Sequence, residues 1–475
     1  MKQNYRHLYL FILLIFALTT ITRVLPAGFH PDSLVYMSMA RNLADGQYGF
    51  LDLHFTNHIF NHFYEHPPLG IYSMSLFFYI FGDTILIDKL FGVFFGLLIM
   101  IEIVAIYRLV DPKDTKSGML LALFYFMLFP ITSYTLENNL LEIPTTFFTL
   151  ASVYFFLKGL LCKENSILYI LLFTAMLTAG FFVKGPVALF PLALPFFYFL
   201  LFSKEYSFKN LITFYLFLLI FITILIVLIY NYAPAYNYFS IYFENQVLSS
   251  INGSRGGDKH FQLISQLGID LSAIVFVSII IMFIGKIKFE TLKTSRMFWL
   301  FLLIGLSASL PLEISPRQHS YYIFPSLPYF AIALSLLFAN SIKQVVHKFG
   351  SYKLIKSLNF LLIIALIGIS YVKIDEYKRH KNFYKDFIEA NVNLEQNATI
   401  FACSNNADDK YNFFNNTELS GNLQRYYKAS LIENNINELY YLTTTRSHVD
   451  CKVDSEKYKY IGPVKASYYL LYKRI

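Results

Sequence analysis

Long apolar runs divided by short polar breaks organise most of the chain. About 20 apolar residues cross a bilayer as a helix. About eleven runs approach that length: 8–26, 86–107, 117–134, 142–160, 166–183, 186–202, 210–231, 264–285, 297–313, 321–340 and 357–373. They predict a polytopic helical bundle over residues 1–373. The aromatic run 71–81 is too short to span and is expected to lie along the interface. Leu34 to Leu43 reads as an amphipathic stretch. Beyond residue 373 the pattern turns polar and mixed: Ala398–Cys403 and Glu438–Thr443 suit short strands, and Lys381–Ala390 suits a helix. The fold class expected is therefore mainly α, a membrane bundle followed by a small extracytoplasmic α/β domain over 374–475.

Composition agrees with the pattern. The chain is 56% hydrophobic and only 15% charged, against about 25% charged for a soluble globular protein. The formal net charge of +8 does not indicate nucleic acid. The basic residues fall in short clusters between apolar runs, as in cytoplasmic loops of membrane proteins, and not on one exposed face. Arg108, Lys113 and Lys116; Lys158 and Lys163; Lys204 and Lys209; Lys286 to Arg296; and Lys343 to Lys356 all fall on one side when the N-terminus is cytoplasmic. With eleven spans the C-terminus is then outside. Lys2, Arg6 and His7 precede the first run as in a signal peptide, but Arg23 near its end and the lack of a small-residue cleavage site point to an uncleaved anchor. Cys403 and Cys451 both lie in the tail, where an oxidising exterior permits a bridge; two unpaired thiols remain the alternative.

The outer segments carry the candidate chemistry. Asp32, just after the first run, can act as a base on an acceptor hydroxyl, and it equally suits a helix N-cap near Ser33. Glu65 and His66 precede Pro67 and Pro68, which hold the chain extended. His54, His58, His62 and His66 recur every four residues, a spacing that on a helix makes one metal-binding face; a chance run in a loop is the plainer reading. Glu142 opens a span, where a carboxylate is costly and functional by default, although a helix start also favours it. Glu137, by contrast, is expected to be a solvated loop charge. Lys184, in Lys184-Gly185-Pro186, and Arg317, ahead of Tyr321 and Tyr322, are cations at the outer ends of spans. Both suit phosphate, with a tyrosine as further donor, and both also suit snorkelling to headgroups. Glu244 and Asp258-Lys259-His260 flank Gly253, Gly256 and Gly257, which reads as a loop able to close over substrate; His260 is either a metal ligand or simply exposed. No Walker loop, dinucleotide fingerprint, nucleophile elbow or paired CxxC occurs.

The order of these motifs resembles the GT-C glycosyltransferases, closest to the protein O-mannosyltransferase and lipid A aminoarabinose transferase branch. It is carried by Asp32, Glu65-His66-Pro67-Pro68-Leu69, Leu141-Glu142-Ile143-Pro144, Lys184-Gly185-Pro186 and Arg317 before Tyr321-Tyr322 and Pro325, over about residues 8–340. The resemblance implies an inner-membrane enzyme that moves a sugar from a polyprenyl-phosphate carrier to an extracytoplasmic glycan, lipid or protein. It further implies that Asp32 is the catalytic acidic residue, Lys184 and Arg317 bind the carrier phosphate, and Glu65, with His260, sits near a divalent metal. No nucleotide cofactor is expected. Glu142 stands where the branch often has aspartate. His66 stands where the aminoarabinose branch tends to have lysine, which leaves a general hexose transferase open. The rival reading is a transporter or flippase of a lipid-linked sugar; a third is a catalytically silent assembly subunit.

Overall fold

The computed structural model describes residues 2–84, 86–112, 115–162, 166–251, 261–287, 292, 294–349, 352–379, 381, 394–403, 417–432, 438–444, 453–461 and 469–475. They form two compact units. One contains 1–25, 64–70 and 89–373; the other contains 26–63, 71–88 and 374–475. The first outer segment thus belongs with the tail, where the sequence pattern alone suggested a break at 373.

The first unit is helical. Among the described residues nine helices are long and apolar enough to cross a membrane, and a tenth counts if Lys116–Leu128 and Pro130–Glu137, bent by 68°, are one span. The break falls at Pro130, which lacks the N–H an unbroken helix needs. The chain is an integral membrane protein. The helix Phe208–Asn231 shows why: Leu216, Leu219, Ile220 and Ile224 are all exposed, a surface that only lipid tolerates.

The 35-residue stretch Ile167–Leu201 is not one straight rod, which would measure about 50 Å. The Phe156 ring lies 6.1 Å from Phe173 and 5.9 Å from Tyr198, and a Cβ on Gly180 would stand 3.3 Å from that of Ala188. The chain doubles back at Gly185, whose φ of +70° ends the helix Ser166–Lys184 in the left-handed conformation that glycine adopts without strain. Pro186 then opens the 3-10 segment Gly185–Ala193, which continues into Leu194–Leu201. Among the described residues the spans number nine, or ten with the pair bent at Pro130, against the eleven expected from the sequence pattern.

Inside the bundle, hydroxyls bond within their own helices. Thr145 and Thr146 donate to the carbonyls of Leu141 and Glu142 at 2.7 and 2.6 Å. Such satisfaction is obligatory where no water is available.

The second unit holds a five-stranded sheet: β1 (Thr399–Ala402), β2 (Ser430–Ile432), β3 (Tyr440–Thr444), β4 (Tyr458–Tyr460) and β5 (Tyr469–Arg474), in the order β2-β1-β3-β5-β4. β1 runs parallel to β2 and β3, while β5 is antiparallel to β3 and β4. Ile400, Leu431, Tyr440, Leu442 and Leu471 line one face with Leu419 and Leu423 of the helix Thr417–Tyr427. The two strands expected from sequence are present; the helix expected over 381–390 lies almost wholly outside the described residues. Cys403 is disulfide-bonded, Cys162 is free and exposed, and Cys451 lies outside the described residues.

The helix Pro31–Ala44 is buried over its ten residues from Ser33 to Asn42, so the amphipathic expectation fails there. Several of its polar groups are met internally, although Arg41 Nε is buried without a hydrogen-bond partner. Arg41, 1% exposed, donates Nη1 to the carbonyls of Gln424 and Arg425 at 2.9 and 2.8 Å and Nη2 to Asn42. Burial and the neighbouring Arg425 lower its guanidinium to about 10. Leu34 packs so closely on Gly421 that a Cβ there would lie 2.9 Å from its own.

Candidate functional site

In the first unit the sequence-predicted residues converge on the Lys184–Gly185 turn. Lys184 Nζ donates to Glu142 Oε1, and the two side chains are 12% and 2% exposed. Glu142 opens the helix Glu142–Leu161, whose positive N-terminal end also favours the carboxylate. The ammonium stands over the ring of Tyr322, 4.7 Å from its centre, with Tyr321 at 5.9 Å. Both tyrosines belong to the 3-10 segment Ser320–Ser326. Tyr321 in turn stacks on His319 at 5.3 Å and on Tyr134 at 6.3 Å. A buried ion pair costs several kcal/mol per ion in lost solvation.

The Glu65-His66 segment is brought to the same turn. A Cβ on Gly70 would meet Leu141 Cδ2 at 2.6 Å and Val183 Cγ1 at 3.1 Å, residues that immediately precede Glu142 and Lys184. Tyr238, 1% exposed, donates its hydroxyl to the His66 carbonyl at 2.7 Å. One turn on, the hydroxyl of Tyr242 lies where a Cβ on Gly185 would go, 1.8 Å away. Burial pushes both phenols upward, so they stay neutral donors at physiological pH. Neither tyrosine was singled out from sequence; Ala233–Tyr242 reads as an aromatic stretch with no polar marker.

The other predicted residues of this unit are more dispersed. Arg317 is exposed, on a loop tied down by Gln318, whose Nε2 donates to Glu313 Oε2 at 2.9 Å and whose Oε1 accepts from the Gln262 amide at 3.0 Å. Glu244 is exposed in the π-helical segment Phe243–Leu248. His260, with the glycine-rich loop 252–260, lies outside the described residues, so the proposed pairing of Glu65 with His260 about a metal has no geometry here. Glu137 corrects an expectation: it is 5% exposed and accepts from Asn138 Nδ2 at 3.3 Å, because the bend at Pro130 turns the end of that helix inward.

Asp32 lies in the second unit. The helix begins at Pro31, with His30 as the cap: His30 Nδ1 accepts the Asp32 N–H at 3.3 Å. Asp32 is therefore a first-turn carboxylate and not the cap. Its side chain is 42% exposed, 3.7 Å from His30 Nδ1.

The four-histidine helix is not formed; the stretch from 51 to 66 contains no helix or strand. What comes together instead is Asp52, His54 and His62. Asp52 Oδ1 accepts from His54 Nε2 at 2.7 Å and from His62 Nδ1 at 3.0 Å. Burial pushes the Asp52 carboxyl up, but these two hydrogen bonds outweigh it and hold the group below the ordinary carboxylate value.

Comparison with known proteins places this architecture. Residues 65–230 match the family described as dolichyl-phosphate-mannose-protein mannosyltransferase. The fold is similar to ArnT from Cupriavidus metallidurans bound to undecaprenyl phosphate, with TM-score 0.69 and 10% identity over 98% of each chain. Against the apo state of the same protein the TM-score is 0.64, with 11% identity over 98% of this chain and 97% of that one. The oligosaccharyltransferase AglB from Archaeoglobus fulgidus, in complex with an inhibitory peptide and a dolichol-phosphate, gives TM-score 0.49 and 13% identity over 93% of this chain and 69% of that one. No curated protein matches by sequence. The chain therefore shares the fold of ArnT over nearly its whole length, and residues 65–230 also match the mannosyltransferase family model in sequence.

Proposed function

We propose that the protein is a membrane glycosyltransferase that moves a sugar from a polyprenyl-phosphate carrier to an extracytoplasmic acceptor. The observation that carries this reading is the half-buried Lys184 ammonium, held by buried Glu142 over Tyr322 at the Lys184–Gly185 turn. Lysine serves phosphate as a point charge. The fold shared with an ArnT that binds undecaprenyl phosphate supports the carrier class. In the reaction, an acceptor hydroxyl attacks the anomeric carbon while the carbon–oxygen bond to the phosphate breaks. The phosphate leaves with the electron pair, and the hydroxyl proton goes to Asp32. Lys184 and Arg317 stabilise charge developing on the leaving phosphate. Glu142 acts through Lys184 by fixing where the ammonium sits. A single displacement inverts the anomeric centre. The assignment of Asp32 rests on its motif position, not on geometry; the lysine and arginine bias supports a cytoplasmic N-terminus with the tail outside, and the resemblance supports a bacterial inner membrane.

A second reading, passage of a lipid-linked sugar, is favoured by Glu102, a carboxylate inside the span Ile87–Val110 with its Oε2 buried. Intramembrane carboxylates mark transport paths. Asp270, also buried, has a structural task, since it accepts the Ile131 amide at 3.3 Å and Gln266 Nε2 at 2.8 Å. The test is mass spectrometry of lipid and glycan fractions from a deletion strain complemented with wild type, Asp32→Asn or Glu102→Gln. Loss of one sugar mass, restored by wild type and Glu102→Gln but not by Asp32→Asn, supports transfer. Full restoration by Asp32→Asn removes the base assignment, and failure of Glu102→Gln alone moves the reading to transport.

A further inference from the structure

We infer that Asp52, His54 and His62 form a divalent transition-metal site of zinc type that clips the loop 52–62 closed. The inference does not depend on the transfer reading. The two imidazole nitrogens point at one carboxylate oxygen, at 2.7 and 3.0 Å, and the donor atoms of all three residues lie within 4.8 Å of one another. Ligands about 2.0–2.1 Å from a tetrahedral zinc stand about 3.3 Å apart, so an ion enters once the three donor atoms, all within 4.8 Å of one another, settle to that spacing. It takes the place of the ring protons that now bridge Asp52 to the two histidines.

The surrounding chain holds this arrangement in advance. The Phe63 amide donates to the Leu53 carbonyl at 2.8 Å and the Phe55 amide to the Phe60 carbonyl at 3.1 Å, which sets His54 beside His62. Leu53, Phe55, Thr56 and Phe63 are buried and anchor the loop. Asn42 Nδ2 donates to the His54 carbonyl at 3.1 Å. The His54 ring is stacked on Tyr48 at 3.9 Å and 5° and meets the His62 ring at 4.6 Å. Support of this kind orients ligands before the metal arrives. Asp52 and His62 are about half exposed and His54 is 13% exposed, so one coordination position faces outward, where water or an anionic oxygen completes the set. Two neutral imidazoles and one carboxylate are the donor set that zinc accepts, and they leave the fourth site open.

The experiment loads the full chain, in detergent, with Zn²⁺ or Co²⁺ and removes unbound metal. The wild type is expected to retain metal, to show the visible bands of tetrahedral Co²⁺, and to melt at a higher temperature with Zn²⁺ than after chelation. His62→Ala and Asp52→Asn are expected to weaken binding at least about 100-fold, since outer-shell changes alone cost 10–100-fold, and to lose the thermal shift. His62 is exposed enough for that variant to fold, which unchanged size-exclusion elution would check. Glu65→Gln/His260→Ala is expected to keep the Co²⁺ bands. A wild type with no Co²⁺ spectrum overturns the site. So does a spectrum that survives His54→Ala/His62→Ala and vanishes with Glu65→Gln/His260→Ala.

Discussion

Lys184 donates to the carboxylate of Glu142, a residue 42 positions earlier in the chain. Glu142 is buried and Lys184 is 12% exposed, so removing the lysine strands the carboxylate. Lys184→Ala leaves an uncompensated carboxylate and is expected to cost about 3–5 kcal/mol of stability; under the proposed function it also removes a donor to the leaving phosphate, worth about 10²–10³ in rate. The double variant Lys184→Ala/Glu142→Gln is expected to regain most of the stability and none of the transfer. Thermal melting in detergent and sugar transfer in reconstituted vesicles, measured on the same samples, check both. Equal recovery of the two quantities would reduce the pair to a structural contact.

The Tyr322 ring offers its face to the same ammonium at 4.7 Å. A cation over an aromatic ring gains about 0.5–2 kcal/mol, more where water is excluded. Tyr322→Phe keeps the ring and is expected to change donor KM less than twofold. Tyr322→Leu loses it and is expected to raise KM by about 3–30-fold, the same energy read as affinity. If Phe and Leu behave alike, the hydroxyl and not the ring is what matters.

Gly185 is constrained twice, by its φ of +70° and by the Tyr242 hydroxyl at 1.8 Å from an added Cβ. The left-handed conformation alone costs an L-residue about 1–2 kcal/mol. Gly185→Ala is therefore expected to destabilise by at least that much and to misplace Lys184, with transfer falling more steeply than stability. Tyr242→Phe in the same background removes the hydroxyl and is expected to recover part of the loss. Melting temperature and KM for the carrier-linked donor report the two effects separately.

Much of this was legible from sequence because the membrane imposes it. Apolar runs of set length mark the spans, and Lys184-Gly185-Pro186 marks the reversal, since a lysine and a left-handed glycine inside one apolar stretch have few other uses. The motif order also named Glu142, Lys184, Tyr321 and Tyr322, which the fold brings together. What stayed hidden is long-range pairing with no periodic trace. Nothing near Arg41 signals that its partners are the carbonyls of residues 424 and 425, so the first outer segment gave no sign of belonging with the tail. The histidine spacing of four suggested a helix face, whereas backbone hydrogen bonds fold 53–63 into a loop that recruits Asp52 and leaves His58 and His66 out of the cluster. The burial of Glu137 follows from a bend at Pro130, about two turns away, which nothing beside Glu137 in the sequence marks.

The second unit has its own buried ion cluster, and it yields the last prediction. Arg425 donates Nε to both oxygens of Asp88 at 3.0 Å and Nη1 to Asp83 at 2.7 Å, with its guanidinium 5.0 Å from the centre of the Phe78 ring. Burial alone would lower its pKa, but Asp88 and Asp83 outweigh burial and raise it, so the charge persists at every accessible pH. The fork is what serves three carboxylate oxygens at once, and a lysine ammonium is a compact point charge that cannot reproduce it. Arg425→Met is expected to cost about 3–5 kcal/mol, because Asp88 at 1% exposure is left without its counter-charge. Arg425→Lys is expected to recover less than half of that. The triple variant Arg425→Met/Asp88→Asn/Asp83→Asn is expected to melt higher than Arg425→Met alone. Protease sensitivity of residues 374–475 in intact vesicles follows the same order if the cluster holds the tail to residues 71–88. If Arg425→Met digests no faster than wild type, the apolar face of Thr417–Tyr427 carries that attachment instead.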